Sequence, residues 1–483
     1  MAIPVETFFL DPSEQGTLQA RIQRMVAEGI LSGRFRRGEK LPSSRKLAQH
    51  LGVSRITVTA AYTELVASDY LAARGRSGFY VSEGAPEPPP LPTRRPDADR
   101  VDWARALGQR FTGGATPEKP AGWAQARYPF IYGQADPTLF DHANWRLCAV
   151  KALGQKDFAS MTADQFDRDD PELVSVIARH ILPRRGINAR PSEILVTMGA
   201  QNALWLTAQV LLTQRRRAAI ENPSYYSLRD ILSQSRCHLA AVDLDEDGMP
   251  PEAIPDGTDA IFVTPSHQAP TTVTMPLARR RALLERARTL EALIVEDDYE
   301  FEMSFLQAPS PALKSLDPDG RVIYVGSFSK SLFPGLRLGY LVGSEPFIRE
   351  ARALRASVLR HPPGLIQRTV AHYLSLGHYQ ALIRRMGRSL GERRKVMEEA
   401  IRAEGLEIAG KPYFGGSAFW MKAPEGTDTD ALAQRLLPQG VVIEPGAPFF
   451  AAPEGPCRYY RLAYSSIPAD RIAAGVKLIA EAM

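Results

Sequence analysis

The sequence predicts an α/β protein in which a mostly parallel sheet is preceded by an N-terminal winged helix and followed by a small C-terminal α+β subdomain. Three observations support this prediction. Short apolar runs alternate with longer helical stretches between residues 127 and 483. Helical periodicities and then a hairpin pattern occupy residues 12–82. A proline-rich segment, residues 83–126, separates the two patterns, so we expect two folded units joined by a linker.

The composition is that of a soluble globular protein, with 44% hydrophobic and 23% charged residues. No run of about 18 apolar residues is present, which argues against a membrane span, and residues 1–7 show no secretory signal. The three cysteines, Cys148, Cys237 and Cys457, are too few and too dispersed for a zinc quartet or a disulfide framework. We therefore expect a cytoplasmic protein without a metal site. The excess of basic residues, 59 against 54 acidic ones, permits a polyanionic partner without requiring it.

Three helices and a hairpin are predicted in residues 12–82. Apolar residues at helical spacing begin at Leu18 and end near Gly33, which predicts the first helix. Ser43 or Ser44 can cap a second helix that Gly52 closes, and Ser54 can cap a third. Two short apolar runs around a basic, glycine-containing turn predict the hairpin. Its strands are residues 70–73 and 79–81. Three helices and a hairpin make a winged helix-turn-helix.

The linker, residues 83–126, is predicted from its prolines. Prolines at positions 86, 88, 89, 90, 92 and 96 each remove a backbone donor and restrict φ, so neither a helix nor a central strand can form there. Such a segment is typical of a semi-rigid, extended spacer.

In the body, residues 127–483, runs that are apolar on both faces are separated by helical stretches. This pattern predicts a mainly parallel sheet covered on both sides. The runs are residues 194–197, 218–221, 260–263, 293–296, 322–325 and 338–341. Three later runs, residues 419–421, 441–443 and 460–462, predict the smaller α+β subdomain.

Two segments of the N-terminal unit carry a recognisable pattern. They are residues 41–48 (Leu-Pro-Ser-Ser-Arg-Lys-Leu-Ala) and residues 51–58 (Leu-Gly-Val-Ser-Arg-Ile-Thr-Val), followed by Ala61 and Tyr62. The pattern resembles the GntR-type winged-helix signature. The resemblance implies that the third helix enters the major groove of double-stranded DNA.

Six residues of this unit are the predicted DNA contacts: Arg45, Arg55, Thr57, Thr59, Arg74 and Arg76. Arg55 begins the third helix and suits a bidentate contact to guanine, while the two threonines suit phosphate or base contacts. Arg45 begins the second helix and suits a phosphate or a base. The two wing arginines are expected at the minor groove or the DNA backbone. A solvated basic face is the alternative interpretation.

A lysine segment in the body points to cofactor chemistry. Lys330 follows the apolar run 322–325, three residues after Ser327 and seven before Arg337. A strand-end amine with a lowered pKa can form a Schiff base with an aldehyde, and a hydroxyl with a guanidinium suits a phosphate. The segment resembles the pyridoxal-phosphate lysine segment of fold-type-I aminotransferases. That likeness implies a cofactor bonded to Lys330 as an aldimine, with Ser327, Ser329 and Arg337 at its phosphate. A surface lysine beside a Pro-Gly turn is the alternative.

Two further segments agree with this resemblance. Gly199, Ala200 and Gln201 end a strand and open a helix, whose backbone N–H groups would hold the phosphate. Tyr225 matches the aromatic residue that stacks on the cofactor ring in the family, although a packing tyrosine is the alternative.

The acidic strand end at residues 295–299 also agrees with it. Asp297 matches the carboxylate that pairs with the protonated pyridine nitrogen and keeps the ring an electron sink. Tyr299 matches the donor to the ring's phenolate oxygen. Asp298 competes with Asp297, because adjacent residues of a strand point to opposite faces.

Two polar residues are expected to complete the site. His267 or Gln268 would lie near the ring, in a turn where Thr272 stands at a position at which the family usually has glycine. Arg461 matches the arginine that clamps a substrate carboxylate, and a sulfonate would satisfy the same geometry; Arg458 is its rival.

One segment departs from the family pattern. The tyrosine that reaches the partner subunit's phosphate in the family is replaced by Asp164 or Phe166. The departure argues against full transaminase activity.

The whole chain is similar to the MocR subfamily of GntR-type regulators. That resemblance implies a pyridoxal 5'-phosphate-dependent transcriptional regulator, a head-to-tail homodimer, that senses a small amine or amino acid by external aldimine formation. An aminotransferase with an accessory DNA module and a plain DNA-binding repressor are the alternatives. The effector stays open: an aminosulfonate such as taurine or a small amino acid is preferred, since Ser227 offers no second clamp for a γ-aminobutyrate-like ligand.

Overall fold

The computed structural model of the protein describes residues 2–10, 15–86, 101–109, 111–112, 119–133, 136–306, 310–410, 415–452 and 455–483. The chain divides into two compact units, residues 1–110 and 111–483. Much of the predicted linker, residues 83–126, lies outside the described residues, so its boundaries and those of the flanking domains stay predictions.

The N-terminal unit is a winged helix, as the sequence predicts. Its described helices and strands are α1 (Leu18–Leu31), α2 (Ser44–Leu51), α3 (Arg55–Ala67), β1 (Leu71–Ala73), β2 (Phe79–Val81) and α4 (Trp103–Ala106). Ser43 caps α2 by accepting from the Lys46 N–H, and Ser54 caps α3 by accepting from the Thr57 N–H. Gly52 ends α2 with a φ of 65°, a conformation that glycine adopts without steric cost.

The larger unit alternates strands and helices along its described length. The first part contains β3 (Tyr128–Pro129), α5 (His142–Ala152), α6 (Phe158–Thr162), α7 (Pro171–Val176), β4 (Ile194–Thr197), α8 (Ala200–Leu211), β5 (Arg217–Asn222), α9 (Tyr226–Gln234) and β6 (His238–Asp243). The middle part contains β7 (Ala260–Val263), α10 (Leu277–Thr289), β8 (Leu293–Asp297), α11 (Leu313–Leu316), β9 (Val322–Ser327), β10 (Gly339–Val342), α12 (Glu345–Leu359), α13 (Gly364–Ser375) and α14 (His378–Ala403). The last part contains β11 (Glu407–Ile408), β12 (Ala418–Lys422), α15 (Thr429–Leu436), β13 (Val441–Val442), β14 (Glu444–Pro445), β15 (Tyr459–Ala463) and α16 (Ala469–Glu481).

The main sheet is mixed and mainly parallel. Within the described residues it has seven strands in the order β4-β10-β9-β8-β7-β5-β6, and only β10 runs antiparallel to its neighbours. The central strands β7 and β9 are buried throughout, as expected when helices cover both faces. The sheet therefore confirms the predicted fold class and adds one edge strand, β6, that the apolar runs did not indicate.

A second, smaller sheet forms the C-terminal subdomain. Its order is β11-β12-β15-β14, and all its pairs are antiparallel. β13 pairs instead with β3 in parallel, with Val441 opposite Tyr128, so the chain just after the predicted linker contributes to this subdomain. None of the described helices is both long and apolar enough to cross a membrane.

Candidate functional site

A cavity of about 250 Å³ opens in the larger unit where β8 and β9 end and α8 begins. Parallel strands that end at a common edge bring distant sequence segments together there. Most of the predicted site residues of the body line this cavity. They are Ala200, Gln201, Tyr225, Asp297, Tyr299, Ser327, Ser329, Lys330, Arg337 and Arg461.

Lys330 lies in the turn after β9, with its amine inside the cavity. The Nζ atom lies 4.3 Å from the centre of the Tyr132 ring. Gly133 makes this approach possible, because a Cβ at that position would stand 2.1 Å from Nζ. Burial lowers the pKa of Lys330 to about 8, against the opposing effect of Glu300. The amine is therefore more readily neutral than an exposed lysine, which is the form that adds to an aldehyde.

The start of α8 and the turn after β9 form an anion-binding end. Gly199 precedes α8 with a φ of 84°, and a Cβ there would lie 3.7 Å from the guanidinium of Arg337 and 3.8 Å from Oγ of Ser329. The Ser327 hydroxyl accepts from the Ser329 N–H at 3.2 Å. A guanidinium, hydroxyls and the amides at a helix N-terminus together suit a phosphate group.

Asp297, the last residue of β8, and Asp298, the residue after it, have different surroundings. Asp298 is buried and accepts from Nε of Arg185 at 2.6 Å and from the Tyr324 hydroxyl at 2.8 Å. Asp297 faces the cavity, and its buried Oδ1 has no hydrogen-bond partner among the described residues. Burial, with help from Asp298, raises the pKa of Asp297 to about 7. A protonated ring nitrogen at Asp297 would satisfy this carboxylate, so the residues present fit pyridoxal phosphate.

Tyr225 and Tyr299 line the space between these two ends. The Tyr225 ring packs 5.0 Å from that of Tyr226, which also lines the cavity. The Tyr299 hydroxyl donates to the His267 carbonyl at 2.9 Å. Burial raises the pKa of Tyr299 well above its usual value, so this phenol is a neutral donor.

The turn that contains His267 reaches the cavity through Ala269 instead of the imidazole. His267 is buried, neither of its ring nitrogens has a hydrogen-bond partner among the described residues, and its ring lies close to Gly416. Gln268 donates to the buried carboxylate of Glu221 at 3.1 Å. Thr272 has a φ of 62°, so it lies in the left-handed region that favours glycine, the usual residue at this position in the family pattern.

Arg461 lies at the end of the cavity nearest the small sheet. Its Nε and Nη2 atoms donate to the two carboxylate oxygens of Glu444 at 3.0 and 3.2 Å. Its guanidinium carbon also lies 4.0 Å from the centre of the Tyr132 ring. The rival Arg458 does not line the cavity; its carbonyl accepts from the Ala423 N–H.

Four polar cavity residues were not found from the sequence: Lys119, Tyr132, Tyr226 and Glu444. Lys119 falls within the predicted linker, and Glu444 lies in a strand of only two residues, so no local pattern marked either one. The Asp164 and Phe166 side chains are exposed, and Arg360 pairs with the first and stacks on the second at 4.5 Å. Neither Asp164 nor Phe166 lines the cavity.

In the N-terminal unit, α3 carries three of the predicted DNA-contacting residues: Arg55, Thr57 and Thr59. Arg55 and Thr59 line a shallow depression together with Ile56, which is 81% exposed and was not predicted. The Thr57 hydroxyl lies 2.8 Å from that of Ser54 and is therefore already hydrogen-bonded within the cap.

The remaining predicted DNA contacts lie outside α3. Arg45 is exposed at the start of α2. The Arg74 guanidinium lies 4.6 Å from the centre of the Tyr80 ring. The Arg76 side chain lies outside the described parts of the structure.

Comparison with known proteins identifies both units. Residues 139–475 match the model of "Aminotransferase class I and II", and residues 18–81 match that of "Bacterial regulatory proteins, gntR family". The chain is 58% identical to the HTH-type transcriptional regulator TauR of Rhodobacter capsulatus, over the full length of both proteins. It is 30% identical to the probable rhizopine catabolism regulatory protein MocR of Rhizobium meliloti, over 80% of this chain and 78% of that protein.

A solved structure resembles the larger unit. The α-aminoadipate aminotransferase LysN of Thermus thermophilus, complexed with N-(5'-phosphopyridoxyl)-L-leucine, superposes with a TM-score of 0.69 at 27% identity. The match covers 79% of this chain and 98% of that one.

Proposed function

Because the chain belongs to the class I and II aminotransferase family and carries a GntR DNA-binding domain, as MocR-type transcriptional regulators do, we propose that it couples a small amine to DNA binding through pyridoxal 5'-phosphate. The protein is a transcriptional regulator that binds DNA through its N-terminal winged helix. The aminotransferase-like body is proposed to hold the cofactor and to receive the effector. A cytoplasmic location, with access to DNA, is part of this proposal.

The observation that supports the cofactor most strongly is the pairing of two unusual groups in one cavity. Lys330 has a lowered pKa and an amine directed into the cavity, and Asp297 has a buried oxygen without a partner among the described residues. When bound, the cofactor supplies an aldehyde carbon that an amine can attack and a ring that withdraws electrons. Lys330 supplies the first amine, and Asp297 keeps the proton on the ring nitrogen.

The other predicted residues orient the cofactor. Gly199, Ala200 and Gln201 offer backbone N–H groups, and Ser327, Ser329 and Arg337 offer side-chain donors, to the phosphate. Tyr225 and Tyr299 would lie on either side of the space for the cofactor ring or at its edge. His267 stays a proposed neighbour that acts through its carbonyl contact with Tyr299.

The effector is proposed to be an amine with one anionic group, and taurine is the first candidate. Its amine would displace Lys330, and its sulfonate would lie at Arg461. The full-length similarity to TauR supports a shared effector class. Displacing Lys330 changes what the body contacts, and a ligand shifts a conformational equilibrium only through such differential contacts.

A head-to-tail homodimer is proposed because a winged helix-turn-helix reads two half-sites as a dimer. Exposed apolar side chains in the larger unit support a subunit interface there. Leu147 and Val150 on α5 are 57% and 60% exposed, and Phe158 is 55% exposed. Exposed apolar groups that occur together are typical of protein contacts. Sedimentation at several protein concentrations tests the dimer, and a persistent monomer would exclude it.

Borohydride reduction of the purified protein, followed by peptide mass analysis, tests the cofactor proposal. We expect a peptide that contains Lys330 and carries the reduced cofactor. Cofactor trapped on another lysine, or on none, would overturn the assignment of Lys330.

An aminotransferase with an accessory DNA module is the second candidate. The backbone of Thr272 favours it, because a φ of 62° lies in the left-handed region that a glycine at this position adopts without steric cost. Sustained consumption of a keto acid with an amine donor would support this candidate, and its absence would favour a regulator without turnover.

A further inference from the structure

Three charged side chains line the end of the cavity nearest the small sheet: Lys119, Glu444 and Arg461. The Arg461 and Glu444 side chains are 7% and 15% exposed and form a two-pronged ion pair. Glu444 also accepts from the Tyr132 backbone N–H at 3.0 Å, which holds it in place. A carboxylate of the protein itself therefore occupies the fork of the predicted anion clamp.

This pairing limits how a ligand anion can reach Arg461. The anion cannot take the Nε and Nη2 hydrogens unless Glu444 leaves, and a buried carboxylate that loses its partner is strongly destabilised. Two donor groups remain. Nη1 of Arg461 makes no hydrogen bond with a described residue, and Lys119 forms no ion pair within the described parts of the chain.

The formal charge of this group of three is +1 at neutral pH, from two cations and one carboxylate. One monoanionic group neutralises these three side chains, whereas a second negative charge would give them and the ligand together a net negative charge beside Glu444. Like charges brought together at a binding site disfavour the ligand that carries the additional charge.

We propose that Lys119, Glu444 and Arg461 form a single subsite for the anionic group of the effector, in which Glu444 restricts the ligand to one negative charge. The effector is then a monoanionic amine such as an aminoalkanesulfonate, and amines with two acidic groups are excluded. This inference rests on the proposed function and assigns the residues that select the effector by charge.

Electrostatic coupling supports the grouping. Partial burial against the cavity wall lowers the pKa of Lys119, while Glu444 raises it and Arg461 lowers it further. The charges of Glu444 and Arg461 therefore both act on the Lys119 amine. The Lys119 amine also lies 5.7 Å from the centre of the Trp123 ring, a contact that keeps the flexible side chain near the opening.

The first test uses the full-length protein loaded with pyridoxal 5'-phosphate and follows its visible absorption. Taurine and cysteate, which carry one and two acidic groups, are titrated into the unsubstituted protein and into Glu444→Gln. We expect the ratio of cysteate to taurine affinity to rise by about tenfold or more in the variant. An unchanged ratio would overturn the role of Glu444. Glu407→Gln is the matched control, since Glu407 is exposed, pairs with Lys422 and does not line this cavity.

The second test uses Lys119→Met. Lys119 is exposed, so this substitution should leave the fold intact. The variant should bind taurine about tenfold more weakly. Its affinity for propylamine should change little, because propylamine has no anionic group to interact with Lys119. An equal change for both amines would overturn the role of Lys119. Cofactor content is measured in every sample. An unsubstituted protein that binds no cofactor, or whose absorption changes with no amine, contradicts the proposed function. A protein that responds to amines but keeps the same charge preference in the variants contradicts only this further inference.

Discussion

Nε of Arg185 lies 2.6 Å from Oδ2 of Asp298, and both side chains are almost completely buried. The neighbouring Asp297 points the other way, into the cavity, because successive residues of a strand alternate. Asp298 therefore compensates a buried charge of the fold, which leaves Asp297 available to a ligand. This division favours Asp297 over Asp298 as the predicted partner of the ring nitrogen.

Asp298→Asn should destabilise the larger unit by about 3–5 kcal/mol, because it leaves the Arg185 charge buried without its counter-ion. Asp297→Asn should cause no such loss, since Asp297 has no ion pair within 4 Å among the described residues. Urea unfolding of the cofactor-free proteins, followed by circular dichroism, measures both. Equal losses would contradict the division between the two acids.

The stability of the cofactor-free protein should depend on pH through Asp297. Its pKa is raised from 3.8 to about 7 by burial, so the folded state holds a proton that the unfolded chain has released. Stability is therefore lost as the pH rises from about 4 to about 7, by at most about 4 kcal/mol. Asp297→Asn removes this loss, so near pH 8 the variant should be the more stable protein. Parallel stability curves for the two proteins would show that Asp297 is not the cause.

Arg55→Ala should weaken specific DNA binding by about 1–3 kcal/mol if the guanidinium reads a guanine. Arg55 is exposed at the first position of α3 and forms no ion pair with a described residue. The affinity is measured at several salt concentrations, on a duplex selected by the protein and on a random duplex. An equal loss on both would reduce Arg55 to a phosphate contact.

Arg461→Lys should lower the apparent affinity for taurine by about tenfold or more, because lysine keeps the charge and loses the planar fork that Glu444 orients. Arg458→Lys is the matched control, since Arg458 lies outside the cavity. Absorption titration measures the response, and cofactor content is determined separately. A variant that titrates like the parent would exclude Arg461 as the anion clamp.

Two of the predicted site residues that line the cavity are the last residues of mostly buried strands. Asp297 ends β8 and Ser327 ends β9, so an apolar run followed by a polar residue was enough to indicate each position. β6 gave no such signal, because it lies at the edge of the sheet and only Val242 is buried. Local hydrophobic pattern therefore predicts the centre of the sheet better than its edge.

Residues from separate segments could not be assigned by local pattern. Lys119 and Glu444 are far apart in the sequence, and the tertiary fold brings them to one cavity. His267 was expected near the ring on its local motif, whereas its imidazole lies towards Gly416 and Ala269 occupies the cavity wall. Tertiary packing decides which side of a turn faces a cavity.

The measurement that tests the central claim most directly is DNA binding of the cofactor-loaded protein during a taurine titration. It compares the parent, Lys330→Ala and the control Lys477→Ala, whose lysine is exposed on α16 and does not line the cavity. In the parent and the control, the change in visible absorption and the change in DNA binding should have the same midpoint. Lys330→Ala should lose both the cofactor trapped by borohydride and the response of DNA binding to taurine, because its amine alone makes that bond. The account would be contradicted if the DNA affinity of the parent changed with none of the amines tested. It would also be contradicted if DNA binding by Lys330→Ala responded to taurine as in the parent.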